Sequence, residues 1–176
     1  MDFDAVASGT AFASGSGTGG LTFSYAIAGP STLQVADSFG TTSGSHYLGL
    51  DNPDTAFYLG DSFTINFNRS VHAAGLYLIA GGDTQAGDLA MSVPGHTVFN
   101  AATPDALVSD GNAYYLGLVD SGAGFSSVTV YGVPSAGAFL AFTADDITSA
   151  VPEPASAWLL LAGLATLLPL QRRRSR

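Results

Sequence analysis

The sequence predicts an all-β protein: an antiparallel two-sheet β-sandwich over residues 1–150, followed by one C-terminal transmembrane helix within residues 151–176. Three observations carry that expectation. Short runs in the first 150 residues alternate apolar with small or polar side chains, the period of a strand with one buried face. Clusters of Gly, Asp, Asn and Ser (GSGTGG, DNPD, GGDTQAGD, SDGN, DSGAG) separate those runs at turn spacing. A single uncharged stretch, Ala155 to Leu170, then precedes an arginine cluster.

The strands follow in order. LTFSYAIA (21–28) sets Leu21, Phe23, Tyr25 and Ile27 on one face. After HYLGL (46–50), SFTINFN (62–68) places Phe63, Ile65 and Phe67 opposite Thr64, Asn66 and Asn68. VHAAGLYLIA (71–80), DLAMSV (88–93), YYLGLVD (114–120), SSVTVYG (126–132) and AFLAFT (138–143) obey the same rule. No stretch before residue 151 carries a helical stripe. Roughly ten short strands in one domain point to a jelly-roll-like sandwich. The chain has no cysteine, which excludes a disulfide framework, a thiol nucleophile and a cysteine–zinc site. Stability outside the cell must therefore come from packing, with bound ions as an optional addition.

The C-terminal element rests on length and charge. The 16 uncharged residues from Ala155 to Leu170 are rich in Leu and Ala, hence helical. As a helix they reach about 24 Å, close to a hydrocarbon core of roughly 30 Å. Trp158 at one end and Arg172, Arg173, Arg174 and Arg176 at the other would anchor it at the two interfaces. Arginines beside a span stay cytoplasmic, so the preceding body lies across the membrane. Pro152 and Pro154 keep the segment before the helix extended, a shape that a protease can grip. Charge segregation supports this division: thirteen aspartates against Arg69 alone give residues 1–150 a formal charge of −12. Such a body repels nucleic acid.

Val151-Pro152-Glu153-Pro154, the apolar helix and the arginine cluster together resemble the PEP-CTERM sorting signal of Gram-negative, exopolysaccharide-producing bacteria. The resemblance implies an exported chain, anchored transiently in the inner membrane and processed near the motif by an exosortase. That partner is a membrane-embedded cysteine transpeptidase, and the product is released or attached at the cell surface. Val151, Pro152, Glu153 and Pro154 are then recognition residues of a substrate. Such export needs a signal peptide, whereas Met1-Asp2-Phe3-Asp4 opens directly into acidic sequence. The expectation is an in-frame start further upstream. FTINFNRSVHAAGLYL, YYLGL, FSSVTVYG and FTADDIT further resemble extracellular lectin- or carbohydrate-binding-like jelly-roll domains.

Candidate chemistry in the body is sparse. The Gly-x-Ser-x-Gly elbow of serine hydrolases is absent, and GSGTGG lacks the Lys of a phosphate loop. His46, His72 and His96 show no metal-ligand spacing. Asp2 and Asp4 open the domain while Asp145 and Asp146 close it, so terminal strands that approach each other would collect oxygens suited to calcium. The other reading is that each pair splits between solvent and a turn. Tyr47, Tyr58, Tyr114 and Tyr115 could build a sugar-stacking surface, but alternation turns about half of all strand aromatics inward, so core packing is the better explanation for most of them.

Three functional classes follow. The first is an exported, non-enzymatic surface or matrix protein associated with exopolysaccharide. The second is a dedicated carbohydrate-binding module, and the third an exported glycan hydrolase. The body contains no glutamate, and its aspartates sit in or near turns that solvate them, which disfavours a carboxyl with a raised pKa and therefore the hydrolase.

Overall fold

The computed structural model describes residues 1–133 and 140–150. Every regular element among them is a strand, and none of them forms a helix long and apolar enough to cross a membrane. The expected C-terminal helix lies outside the described residues.

From the N-terminus the strands are β1 (Ala11–Phe12), β2 (Gly17–Thr18), β3 (Leu21–Ala26), β4 (Leu33–Ala36), β5 (Tyr47–Leu50), β6 (Phe57–Tyr58) and β7 (Ser62–Val71). They continue as β8 (Ala73–Ala80), β9 (Leu89–Val93), β10 (His96–Phe99), β11 (Ala106–Val108), β12 (Gly111–Val119), β13 (Phe125–Gly132) and β14 (Ala141–Ala150). An eight-stranded sheet runs in the order β1-β4-β5-β14-β8-β12-β11, with β6 also paired to β14. A six-stranded sheet runs β10-β9-β13-β7-β3-β2. The pairs β14–β8, β12–β8, β13–β7 and β3–β7 that form the middle of the two sheets are all antiparallel.

Alternation builds the core between the sheets. In β7, Phe63, Ile65 and Phe67 are buried while Thr64 and Asn66 remain partly exposed on the other face. Their neighbours in register are Phe23 of β3 and Val128 of β13, both opposite Ile65. The facing sheet contributes Leu76 and Leu78 from β8, Tyr114 and Leu116 from β12, and Phe142 and Ala144 from β14. Phe57 joins the layers, stacking on Phe63 at 4.8 Å and on Phe142 at 5.2 Å. Offset ring pairs at such distances add about 0.5–1.5 kcal/mol beyond area burial.

Two departures from the expected strands position the site. The strand expected over 138–143 starts, within the described residues, at Ala141 and continues to Ala150, so Asp145 and Asp146 lie within it. Its pairing with β8 slips between Asp145↔Tyr77 and Thr148↔Gly75, with Asp146 at φ 51°. This bulge receives the chain start, where Met1 and Ile147 exchange backbone hydrogen bonds. The ladder between β13 and β7 is also irregular, between Phe125 and Ser127, and Ser126 sits at the break. Bulges of this kind re-aim side chains at sheet ends.

Candidate functional site

A cavity of about 420 Å³ opens at one end of the sandwich between the two sheets. Val93 and Pro94 of the β9–β10 turn, with His96, form one wall. Leu118, Val119 and Asp120 at the end of β12 form the second, and Phe125, Ser126 and Ser127 of β13 the third. Asp120 is fixed by the loop that follows it: its Oδ1 accepts from the Gly122 amide at 2.7 Å and its Oδ2 from the Gly124 amide at 2.8 Å. The loop requires glycine at 124. That residue has φ +74°, and a Cβ there would meet Ser70 Oγ at 2.5 Å and the Val71 carbonyl oxygen at 2.7 Å. The Gly122 amide, then the Gly124 amide, with His72 and His96 nearby, hold the Asp120 carboxyl below its ordinary value. It is an anionic acceptor at neutral pH.

A second depression, about 360 Å³, shares Leu118 and Val119 with the cleft. It runs over the outer face of the eight-stranded sheet past Gly117, Tyr115, Ala73, Thr148 and Ala150. Val119 is 82% exposed at the junction. Tyr115, 45% exposed, leans across the sheet, because its ring fills the space that a Cβ on Gly75 would need. Its edge meets Tyr77 at 5.2 Å, and its hydroxyl lies 3.2 Å from Thr148 Oγ1.

This end of the fold is also where β14 stops. The His72 amide donates to the Ala150 carbonyl at 2.9 Å, and the Asp120 amide to the His72 carbonyl at 2.8 Å. The cleft therefore lies two hydrogen bonds from the last residue of β14. Beyond Ala150 the sequence continues into the apolar and basic tail. The family described as the PEP-CTERM protein-sorting motif matches residues 150–175. The chain carries a PEP-CTERM sorting motif. The motif implies processing by an exosortase-type system and export of the body that precedes it. No curated protein and no solved structure matches the chain.

Val151, Pro152, Glu153, Pro154, Trp158, Arg172, Arg173 and Arg174 fall inside the PEP-CTERM match, and Arg176 just past it. All lie outside the described residues. The four aspartates considered for calcium are placed. Asp145 is fully buried in β14, Asp146 is half-buried, and Asp2 and Asp4 are exposed. Three of them converge on residues 37–46, a strap between β4 and β5. Asp145 Oδ2 accepts from the Thr42 amide at 2.9 Å and the Thr42 hydroxyl at 2.8 Å. Asp146 accepts from the hydroxyls of Thr42 and Ser43, and Asp4 from the amides of Ser45 and His46. Asp2 takes no part. Among the described residues no group of three or more His, Asp or Glu is placed to hold a metal ion.

The Thr42 hydroxyl lies 2.8 Å from oxygens of both Asp145 and Asp146, yet it has one proton to give. The second contact is satisfied when a carboxyl carries a proton. Burial raises the Asp145 carboxyl above its ordinary value, the Asp146 charge adds to this, and the Thr42 donors partly offset it. Asp145 is thus the residue suited to hold that proton.

The four tyrosines do not form one surface. Tyr47 and Tyr114 are buried, Tyr47 on the outer face of its sheet beneath Phe39 of the strap. Tyr58 hydrogen-bonds Asp54, which with burial pushes its hydroxyl up to about 12. Only Tyr115 projects into the groove. Its partner Tyr77, together with Asp120, Ser126 and Ser127, was not singled out by sequence reasoning. The parity of VHAAGLYLIA does turn Tyr77 away from Leu76 and Leu78, and that was the available signal.

Proposed function

We propose that residues 1–150 form an exported, non-enzymatic surface or matrix domain that associates with exopolysaccharide after sorting by an exosortase-type transpeptidase. The match of residues 150–175 to the PEP-CTERM motif, directly after β14, carries the reading. In this account the apolar tail spans the inner membrane until it is removed, and Val151–Pro154 is the segment that the transpeptidase recognises. The acidic body suits a hydrated extracellular matrix, where its charge resists self-association. A jelly-roll-like arrangement of the sandwich belongs to the same proposal. It is supported by the exchange of sheets at β3–β4, β7–β8, β12–β13 and β13–β14. The carbohydrate-binding alternative is favoured by one observation, the exposed Tyr115 beside the end cleft.

Sorting is tested by mass spectrometry of surface and secreted material from the producing cell. Peptides from the body are expected, with none from Trp158 onward. Intact tail on the mature surface protein would overturn the reading.

A further inference from the structure

We propose that the end cleft and the groove beside it form one continuous site for a neutral polysaccharide chain, bound without cleavage. The inference rests on reading the body as a glycan-associated surface domain and names the surface that would do the binding.

The chemistry of the lining is what a pyranose ring requires. Sugars present apolar C–H faces and hydroxyl edges, so their sites mix flat apolar surface with short hydrogen-bonding groups. In the cleft, Pro94, Val119 and Phe125 supply apolar surface, while His96, Asp120, Ser126 and Ser127 supply polar atoms. Asp120 is an acceptor, each serine hydroxyl both donates and accepts, and a neutral imidazole offers one donor and one acceptor. That set can serve adjacent hydroxyls of one ring. Asp120 is held in place by two loop amides, so little ordering is needed on binding.

The two depressions meet at Leu118 and Val119, and that adjacency argues for a chain over a single sugar. From Val119 to Tyr115 is four residues of β12, about 13 Å along the strand. The path crosses Gly117, which raises no side chain, and ends on the Tyr115 ring, exposed and braced by Tyr77. An aromatic ring held by its neighbours is a surface for a sugar C–H face.

Two observations set the class of ligand and the outcome. Asp120 is ionised in the cleft and the body carries a formal charge of −12, so an acidic polysaccharide would be repelled. Among the described residues Asp120 is also the only carboxylate lining either depression. Glycoside hydrolysis uses a pair, one as acid and one as base or nucleophile.

The test uses the full chain in mild detergent, titrated calorimetrically with neutral hexasaccharides of glucose, mannose and xylose and with an oligogalacturonate as anionic comparison. At least one neutral hexasaccharide is expected to bind. His96→Ala and Tyr115→Ala, at the two ends of the path and both on exposed side chains, should each weaken it about tenfold, equivalent to about 1.4 kcal/mol. Leu59→Ser, beside the start of β14 and away from the path, should bind like the native chain. Melting midpoints of the three variants separate lost binding from lost folding. Neutral binding that survives both path substitutions overturns the site and leaves the exopolysaccharide reading standing. Preference for oligogalacturonate overturns the neutral class. No binding to any of these sugars by a chain that is correctly sorted overturns the proposal alone, and steady release of reducing ends overturns the reading of a non-enzymatic domain.

Discussion

Asp145→Ala removes the acceptor through which the strap is fixed to the eight-stranded sheet. Asp145 Oδ2 takes the amide and hydroxyl of Thr42, and Oδ1 takes the Asp146 amide at 2.8 Å. With the Ser43 amide, 3.3 Å from Oδ2, four hydrogen bonds are lost at a fully buried position, and the amide of half-buried Thr42 is left without its carboxylate acceptor. At about 1 kcal/mol for each lost bond, with the desolvated amide added, destabilisation is about 3–5 kcal/mol, or roughly 10 °C for a domain of this size. Asp145→Asn separates charge from shape. The folded state holds the Asp145 proton more tightly than the unfolded chain, chiefly because burial disfavours the anion. Its stabilisation is therefore complete below the ordinary carboxylate value, about 3.9, and declines as pH rises through the raised folded value. Asparagine does not titrate. The stability difference between Asp145→Asn and the native chain should move in favour of Asn as pH rises from about 4, then level off. Asp4, Asp51 and Asp120, all lowered by hydrogen bonds, contribute stability that is lost as pH falls. They are common to both proteins and cancel in the difference. Urea unfolding at a series of pH values measures it. A difference independent of pH would refute the buried proton, and an alanine variant that melts with the native chain would refute the clamp.

Two further outcomes are expected. Calcium and chelator should give equal melting midpoints, because strap donors already occupy the oxygens of Asp4, Asp145 and Asp146; a rise of about 2.7 kcal/mol at a hundredfold excess over Kd would restore the ion. Gly124→Ala should destabilise by about 1–3 kcal/mol, from its positive φ and the contact with Val71, and native-like urea midpoints would show that the β12–β13 loop relaxes freely.

The body of the fold was legible wherever a strand is long and has one covered face. SFTINFN sorts Phe63, Ile65 and Phe67 inward by period alone, and β7 is indeed the centre of its sheet. The strands that sequence reasoning passed over are short or lie at edges. β4 offers only Leu33 and Val35 around Gln34, and β10 and β11 contain no fully buried residue. An edge strand with both sides wet leaves little alternation to read. Asp145-Asp146 looked like the close of a domain because two carboxylates interrupt an apolar run. The strand continues through them because a bulge turns Asp146 to a positive φ while the strap covers Asp145.

The same covering decides which outward-facing tyrosines are buried and which stay open. Period two assigns a face but does not say whether that face is wet. Tyr47 points away from the core and is still buried, because Ser38, Phe39 and Thr55 close over it. Tyr115 also points away from the core and stays open, whereas the strap meets the β11–β12 turn at Asp110, which accepts from the Gly40 amide. The difference lies in where one ten-residue connection runs, and no local pattern encodes that path. The cleft is more distant still from sequence. His96, Asp120 and Ser126 belong to three separate strand ends, brought together because β9 and β12 finish, and β10 and β13 begin, at the end of the sandwich where Ala150 of β14 lies. That end is also where the sorting tail departs.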